Sequence, residues 1–405
     1  SPILRGLDFR IDRDGAGIAE VVRLVLNPIW NAYHFFTLYA NADGYRATVR
    51  TDSTDVLDRY VLAKTHDLVA SVTASLDAYD LAGACVEIRT YLDALNNWYI
   101  RRSRDRFWAP AGGGASSDQA KRDAYDTLYT VLVTVTKVTA PLLPLLSEEV
   151  YTGLTGAESV HLEDWPKADE LPADHELVRA MDRIRDLTTA ALSLREERGL
   201  RTRLPLRRLT VAGPDVASLE PFAGLLRDEV NVKEVVFSDD LEAYGRFVLK
   251  PLGKVLGPKL GGEVQKVMAA ARQGTWENGA DGTVVVAGHT LEPGEFELAL
   301  QSREGEATAA VRSNDALVNL DVELTDDLLA EGWARDEPSV LRLPFLSHRP
   351  LTGAFTAGSV APGDTPRQRN NAAGSAAYPR VSNADDSRLD PPCPGTGRRP
   401  GGGRR

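Results

Sequence analysis

The chain has 405 residues, 43% hydrophobic and 26% charged, which is typical of soluble globular proteins and sufficient for two or three domains. Its 58 acidic and 47 basic residues give a formal net charge of -11, so a basic binding surface must be local. Its two distant cysteines exclude a disulfide framework and a Cys-x-x-Cys zinc site. No apolar run is long enough to cross a bilayer, and we expect a cytoplasmic protein without a membrane partner.

Helical periodicity dominates the first half of the chain, where apolar residues recur at three- and four-residue spacing. The pattern predicts helical segments at residues 17–43, 53–80, 80–108, 117–155 and 175–199. Prolines predict a kink or restart near Pro28 and a break within residues 141–144, because the proline ring blocks a helix interior. Ser53 or Thr54 is the expected cap of the second segment, and Asp80 of the third.

The pattern changes after residue 199. Short β-branched runs separated by turn residues predict strands at 207–213, 232–238, 282–288 and 296–300, with a helix at 257–272. Residues 338–405 contain ten prolines and nine glycines but no lysine or glutamate, a composition that predicts disorder. The expected fold is therefore mainly α: a helical bundle, then a small α+β domain over residues 200–337 and a disordered tail.

The third predicted helix ends in an arginine cluster, "NNWYIRRSRDRFW" at residues 96–108. An apolar stripe of Ile88, Leu92, Leu95 and Tyr99 precedes it. Arg102 and Arg106 continue this stripe, so one end of the helix could be buried while the other offers guanidinium groups to an anion. Structural ion pairing is the alternative, either between Arg101 and Asp105 or with carboxylates of another domain. The residue pattern leaves both interpretations open.

The stretch "LNNWYIRRSRDRFW" resembles the signature helix of isoleucyl-tRNA synthetases, which are class I aminoacyl-tRNA ligases. Further segments agree in the family's order and extend the resemblance over residues 1–336: "SPILRG", "NPIWNAYHFFTLYANADG", "DRYVLAKTHDLV", "TAPLLPLLSEEVY", "SVHLEDWP", "RGLRTRLPLRRL" and "VLGPKLGGEVQKV". The resemblance implies that residues 17–199 form the helical anticodon-binding domain and that residues 1–16 end the connection from a catalytic domain. It also implies tRNA(Ile) as the partner.

Eight arginines are the candidate tRNA ligands, since guanidinium groups bind phosphate well. They are Arg101, Arg102, Arg104 and Arg106 in the signature helix, and Arg201, Arg203, Arg207 and Arg208 in the "RGLRTRLPLRRL" segment. Trp98 is expected to be packed in the core rather than to stack on a base, because tryptophan is highly buried on average.

Catalytic residues are not expected in this chain. The resemblance implies an isoleucine-tRNA ligase that uses ATP and magnesium at full length and is usually monomeric. However, the family's His-Ile-Gly-His and Lys-Met-Ser-Lys-Ser motifs are absent from the sequence. We expect them upstream of Ser1, so the chain would be a C-terminal fragment that is inactive alone and holds no cofactor. None of the six histidines has sequence neighbours that suggest a nucleophile or a metal ligand.

Two other functions remain open. A fragment of a valyl-type ligase would share the helical layout, and a stand-alone helical interaction protein would have lost RNA binding. The arginine-rich, lysine-free tail at 338–405 is typical of a GC-rich gene read out of frame, so we expect a frameshifted tail; a basic nucleic-acid-binding arm is the alternative.

Overall fold

A computed structural model describes residues 16–110, 112–279, 282–302 and 307–336. Over these residues the fold is mainly α, with a helical bundle followed by an α+β part, as the sequence predicts. The predicted connection at 1–16 lies almost wholly outside the described residues, as does all of the predicted tail at 338–405. Within the described residues, no helix combines the length and the apolar character needed to cross a membrane.

The bundle contains every helical segment that the sequence predicts. Its helices are α1 (Ala16–Val21), α2 (Asn27–Asp43), α3 (Val56–Asp77), α4 (Leu81–Asp93), α5 (Arg101–Trp108), α6 (Ala115–Thr139), α7 (Pro144–Thr155) and α8 (His175–Glu197). The π-helical stretches Val22–Leu26 and Ala94–Ile100 connect α1 to α2 and α4 to α5. Both predictions are confirmed: the helix restarts in α form at Asn27, next to Pro28, after the π-helical stretch, and the gap between α6 and α7 ends at Pro144.

One predicted helix cap is wrong. The side chain of Asp55, rather than Ser53 or Thr54, caps α3 by accepting hydrogen bonds from the backbone N–H groups of Leu57 at 2.9 Å and Asp58 at 3.3 Å. Ser53 lies too far before the first turn, and its hydroxyl donates to the Asp58 carboxylate at 2.7 Å. The predicted cap of α4 is confirmed, since the Asp80 carboxylate accepts from Gly83 N at 2.8 Å.

The α+β part contains three sheets. Its strands are β1 (Leu206–Ala212), β2 (Val232–Ser238), β3 (Gly245–Pro251), β4 (Trp276–Asn278), β5 (Val284–Val286), β6 (His289–Leu291), β7 (Phe296–Ser302), β8 (Thr308–Ala310) and β9 (Leu317–Leu320). The first sheet has the order β2-β1-β9-β8, in which β1 and β2 are parallel and the other pairs antiparallel. Strands β3 and β7 form a second antiparallel sheet, and β4, β5 and β6 form a third.

The α+β part also contains helices. They are α9 (Ala223–Val230), α10 (Gly253–Leu260), α11 (Val264–Gln273) and α12 (Asp326–Asp336). The predicted helix at 257–272 is therefore two helices, because Gly261 adopts a left-handed φ of 52° and ends α10. The four predicted strands are confirmed, whereas the sequence did not reveal β3, β4, β6, β8 and β9.

One apolar core joins the bundle to the first sheet. Side chains at 0% exposure include Tyr60, Leu128, Met181, Leu187, Leu209 and Val318, which come from three helices and from both strands of the β1–β9 pair. A separate smaller core lies among α10, α11 and the two remaining sheets, around Leu256, Val267 and Leu291. The shared core fixes the start of the α+β part against α8.

Candidate nucleic-acid interface

The predicted apolar stripe before the arginines is confirmed. Ile88, Leu92, Leu95 and Tyr99 have exposures of 3%, 1%, 0% and 0%. The stripe does not end where the arginines begin, because the side chains of Arg102 and Arg106 are only 13% and 16% exposed. These two arginines therefore face the interior of the protein.

Arg106 forms a buried ion pair with Asp58, whose side chain is 0% exposed. Its two terminal nitrogens donate to the two carboxylate oxygens of Asp58 at 2.8 and 2.7 Å. Tyr99 donates its hydroxyl to the same carboxylate at 2.8 Å, and Arg106 also donates to the carbonyl of Ala120 at 2.8 Å. The geometry is bidentate and connects α5, α3 and α6, so Arg106 stabilises the bundle.

This environment shifts the titration of both partners of Asp58. Burial raises the pKa of the Tyr99 hydroxyl well above its ordinary value, and the neighbouring Asp58 charge raises it further. Burial alone would lower the pKa of Arg106, but its hydrogen bonds to Asp58 and the charge of that carboxylate raise the pKa above its ordinary value. Arg106 is therefore held in its charged form.

Arg101 and Arg102 share one carboxylate, that of Glu229 on α9. Arg102 Nη1 lies 2.5 Å from Glu229 Oε1, and Arg101 contacts Oε2 of the same group. The Glu229 side chain is 9% exposed, whereas that of Arg101 is 44% exposed. The suggested Arg101–Asp105 pair is thus replaced by a contact with the α+β part, which was the other structural alternative.

Trp98 lies beneath Arg102, with the guanidinium carbon 5.5 Å from the ring centroid. The indole is 4% exposed, which confirms that Trp98 is packed. Its ring N–H is buried and has no hydrogen-bond acceptor among the described residues. An arginine over a tryptophan face is favourable through the ring quadrupole.

Arg104 differs from the other arginines of α5. Its side chain is exposed, and no ion pair or side-chain hydrogen bond joins it to the described part of the chain. Arg207 on β1 has the same character, while Arg208 next to it pairs with Glu234 at 2.8 Å. Exposed guanidinium groups without an internal carboxylate are the most available to an external phosphate.

Arg195 holds the second arginine-bearing segment in place. Its side chain is fully buried and donates to three backbone carbonyls: Arg201 at 3.0 Å, Leu204 at 3.0 Å and Asn231 at 2.9 Å. Burial lowers the pKa of Arg195 to about 10, so it remains charged at neutral pH. The turn at 201–204 is thereby fixed to α8, and Arg201 and Arg203 on that turn are exposed.

The end of α9 contacts both arginine-bearing segments. Glu229 binds Arg101 and Arg102, and two residues later the Asn231 side chain donates to the carbonyl of Thr202 at 2.8 Å. The sequence places these segments about a hundred residues apart and gives no signal for either contact. The structure therefore brings the candidate arginines of α5 and of the 201–204 turn to a common element.

A groove with a volume of about 1300 Å³ lies beside the start of α5. Its lining includes Asn96, Asn97, Trp98 and Arg101, together with residues of α4, α8 and β8. The basic lining residues are Arg23, Lys64, Arg89, Arg101, Arg185 and Arg312, and the acidic ones are Asp93, Asp182, Asp186 and Glu197. Basic lining residues thus outnumber acidic ones by two, and four of them, Lys64, Arg89, Arg101 and Arg185, pair with carboxylates of the chain.

Two histidines that are distant in the sequence lie together in the structure. His66 and His175 meet at the carboxylate of Asp67, and the three residues could together hold a metal ion. The sequence could not reveal this group, because 109 positions separate the two histidines and only the packing of α3 against α8 joins them.

The comparison with known families accords with the arginine helix and the bundle. Residues 58–210 match the family described as the anticodon-binding domain of tRNA ligases. The chain therefore carries the anticodon-binding domain of a tRNA ligase. Relatives refine this assignment: the chain is 50% identical over 336 residues to an isoleucine–tRNA ligase of Nocardia farcinica, and 51% and 46% identical over the same length to those of Corynebacterium efficiens and Mycobacterium tuberculosis.

These similarities confirm the predicted resemblance: residues 58–210 match the anticodon-binding domain of tRNA ligases, and residues of this chain align with the C-terminal portion of proteins named isoleucine–tRNA ligase. Each alignment covers 83% of this chain and 31% of the relative, so the chain spans about a third of the length of these relatives. The roles of the eight candidate arginines are not tested by the comparisons and stay predictions.

Proposed function

We propose that this chain binds the anticodon arm of tRNA(Ile) through the exposed arginines of α5 and of the segment at 201–208. The observation that carries the proposal is the exposure of Arg104 and the half-exposure of Arg101 at the end of the signature helix, where the family match places an anticodon-binding domain. Guanidinium groups at such an edge would contact phosphates, which position the RNA. The isoleucine–tRNA ligase relatives favour tRNA(Ile) over the partner of a valyl-type enzyme.

The eight candidate arginines divide into two roles under this proposal. Four outward arginines have exposed side chains that contact phosphates; they are Arg104, Arg201, Arg203 and Arg207. Arg101 is half-exposed and contacts a phosphate while Glu229 keeps part of its ion pair with it. Arg102 and Arg106 act within the protein, because each is largely buried and pairs with a carboxylate of the chain itself. Arg208 pairs with Glu234 but is 43% exposed, so it belongs with Arg101 among the outward arginines. Bases of a splayed anticodon loop would enter the groove, where the amides of Asn96 and Asn97 offer donors and acceptors.

Aminoacylation belongs to the longer protein in this proposal. A catalytic half that binds ATP and magnesium would activate isoleucine and transfer it to the tRNA, and this chain would orient the tRNA in a monomeric, cytoplasmic enzyme. The chain alone would then be inactive, because the charge that develops on the reacting phosphate needs a nucleotide site for its stabilisation. Isoleucine-dependent exchange of pyrophosphate into ATP should stay at background, and exchange above background would contradict this part.

Fluorescence anisotropy with a labelled tRNA(Ile) transcript tests the binding proposal. We expect the affinity to fall as salt rises, and to fall further when the anticodon stem-loop is exchanged for that of tRNA(Val). The double variant Arg104→Ala, Arg207→Ala should bind more weakly. Its slope of log affinity against log salt concentration should be shallower by about 1.4–1.8, because each lost phosphate contact removes about 0.7–0.9. A matched Glu149→Ala variant on α7 should bind as the wild type does.

Two results would change the conclusion. Equal affinity for both stem-loops would remove the tRNA(Ile) assignment and leave general RNA binding. Absence of salt-sensitive binding by the wild-type chain would favour the stand-alone helical interaction protein instead.

A further inference from the structure

Two histidines and an aspartate meet where α3 passes the start of α8. His66 and Asp67 are neighbours on α3, and His175 is the first residue of α8. One ligand atom of each residue lies within 4.8 Å of the other two. Asp67 Oδ1 is 3.1 Å from His66 Nδ1 and 3.0 Å from His175 Nδ1, so a single carboxylate oxygen lies between two ring nitrogens.

These separations are close to those of a tetrahedral zinc site. Zinc binds imidazole nitrogen at about 2.0–2.1 Å and carboxylate oxygen at about 2.0–2.2 Å, so neighbouring ligand atoms lie about 3.3–3.5 Å apart. The two distances here are 3.0 and 3.1 Å. The ligand atoms of the two histidines lie within 4.8 Å of each other, so a shift of the exposed His175 ring would bring all three ligands to zinc distances.

The protein supplies three ligands to this cluster among the described residues, because the nearby Asp174 is engaged elsewhere. Asp174 is the nearest further carboxylate in sequence, but it caps α8 by accepting from Leu177 N at 3.1 Å and pairs with Arg59 at 2.7 Å. The His66 and Asp67 side chains are 16% and 32% exposed, whereas that of His175 is 63% exposed. The outer side of the cluster is therefore open to solvent, and water could supply a fourth ligand.

We propose that His66, Asp67 and His175 form a zinc-binding site, in which the ion links α3 to the first turn of α8. Two imidazoles with one carboxylate suit a borderline-soft divalent cation better than calcium or magnesium, which prefer sites built from oxygen. The site shares no residue with the proposed RNA contacts or with the lining of the groove, so the two proposals can be tested separately.

Calorimetric titration of the full chain with zinc tests the site. Every protein in this titration also carries Cys85→Ser and Cys393→Ser, because free cysteines bind zinc as well. We expect one zinc ion per chain, and His175→Ala should weaken binding at least tenfold, since even the loss of a group behind a metal ligand costs about 10–100-fold. Circular dichroism checks that the variant is folded, as the exposure of His175 predicts.

His161→Ala is the matched control. His161 is another half-exposed histidine near a carboxylate, with its Nε2 4.0 Å from Glu148, but no second histidine joins that pair among the described residues. Its removal should leave the zinc affinity unchanged. The X-ray absorption spectrum of the zinc-loaded chain should show two imidazoles and oxygen ligands at about 2.0–2.2 Å.

Three results would overturn the proposal. The first is the absence of stoichiometric zinc binding, which would mean that hydrogen bonds alone hold the two histidines at Asp67. The second is an equal loss of affinity in His175→Ala and His161→Ala. The third is an absorption spectrum without imidazole ligands.

Discussion

The inward and outward sides of α5 carry the same residue type in opposite environments. Arg106 on the inward side binds the fully buried Asp58 with both terminal nitrogens, and Tyr99 and Ser53 complete the hydrogen bonds of that carboxylate. Arg104, two residues earlier, is exposed and has no carboxylate partner in the described part of the chain. The environment of each arginine in this helix therefore depends on whether its side chain faces the protein interior or the solvent, and the cluster contains arginines of both orientations.

The largest expected effect is that of Arg106→Ala. The variant leaves the Asp58 carboxylate as an uncompensated charge in the core. Breaking a buried pair in this way lowers the free energy of unfolding by about 3–5 kcal/mol. Arg104→Ala is the matched control on the same helix and should change stability by less than about 0.5 kcal/mol. Urea unfolding of both variants measures the difference, and similar values for the two would contradict the comparison.

Arg195→Met should have the next largest effect. The variant fills a similar volume but leaves the carbonyls of Arg201, Leu204 and Asn231 without their common donor. We expect a loss of about 1.5–3 kcal/mol. Hydrogen exchange should show faster opening of the 201–204 turn than of α3, whereas unchanged protection of the turn would show that Arg195 does not hold it.

Alkaline pH should weaken the core around the buried tyrosines. Burial raises the pKa values of Tyr91 and Tyr99 above the ordinary value of about 10. Above about pH 10 the unfolded chain therefore loses protons that the folded chain retains, so stability is complete below that pH and falls as pH rises. Each such tyrosine contributes up to about 1.4 kcal/mol per pH unit.

Tyr91→Phe measures this contribution. Within the described residues, Tyr91 has a single side-chain hydrogen bond, to the Thr65 hydroxyl at 2.6 Å, and no charged partner. The unfolding free energy of the variant should fall less steeply between pH 10 and 11 than that of the wild type. Identical slopes would contradict the assignment of a raised pKa to this tyrosine.

Arg101→Ala should have a smaller effect on stability than Arg106→Ala or Arg195→Met. The Arg101 side chain is 44% exposed, and Arg102 continues to neutralise Glu229 after its removal. An exposed pair of this kind contributes about 0–1 kcal/mol. A loss above about 2 kcal/mol in thermal or urea unfolding would place Arg101 with the inward arginines.

The sequence predicted the bundle well because its helices follow local rules. Apolar spacing located the bundle helices, and Asp80 capped α4 as expected. Long-range contacts were beyond local rules: nothing in the sequence pairs Arg106 with Asp58, Glu229 with Arg101, or His66 with His175. The short strands β4, β6 and β8 were missed because three residues are too few to show alternation, whereas β5, of the same length, was found from its three consecutive valines.

The site was predicted in position but not in detail. The stripe of Ile88 to Tyr99 correctly indicated a buried face, yet helical spacing alone could not show that this face continues through Arg102 and Arg106. The burial of Arg195 was also missed, because its position on the inner face of α8 depends on how the 201–204 turn folds back. The local sequence thus located the arginine cluster, whereas tertiary packing determines which of its arginines are buried in ion pairs and which are exposed.

The most direct test of this division is the salt dependence of tRNA(Ile) binding by Arg104→Ala, measured beside the wild-type chain. If the outward arginine contacts a phosphate, the slope of log affinity against log salt should become shallower by about 0.7–0.9, while the unfolding free energy stays within about 0.5 kcal/mol. A slope equal to that of the wild type would contradict the account, and the outward side of α5 would then be an ordinary solvated surface.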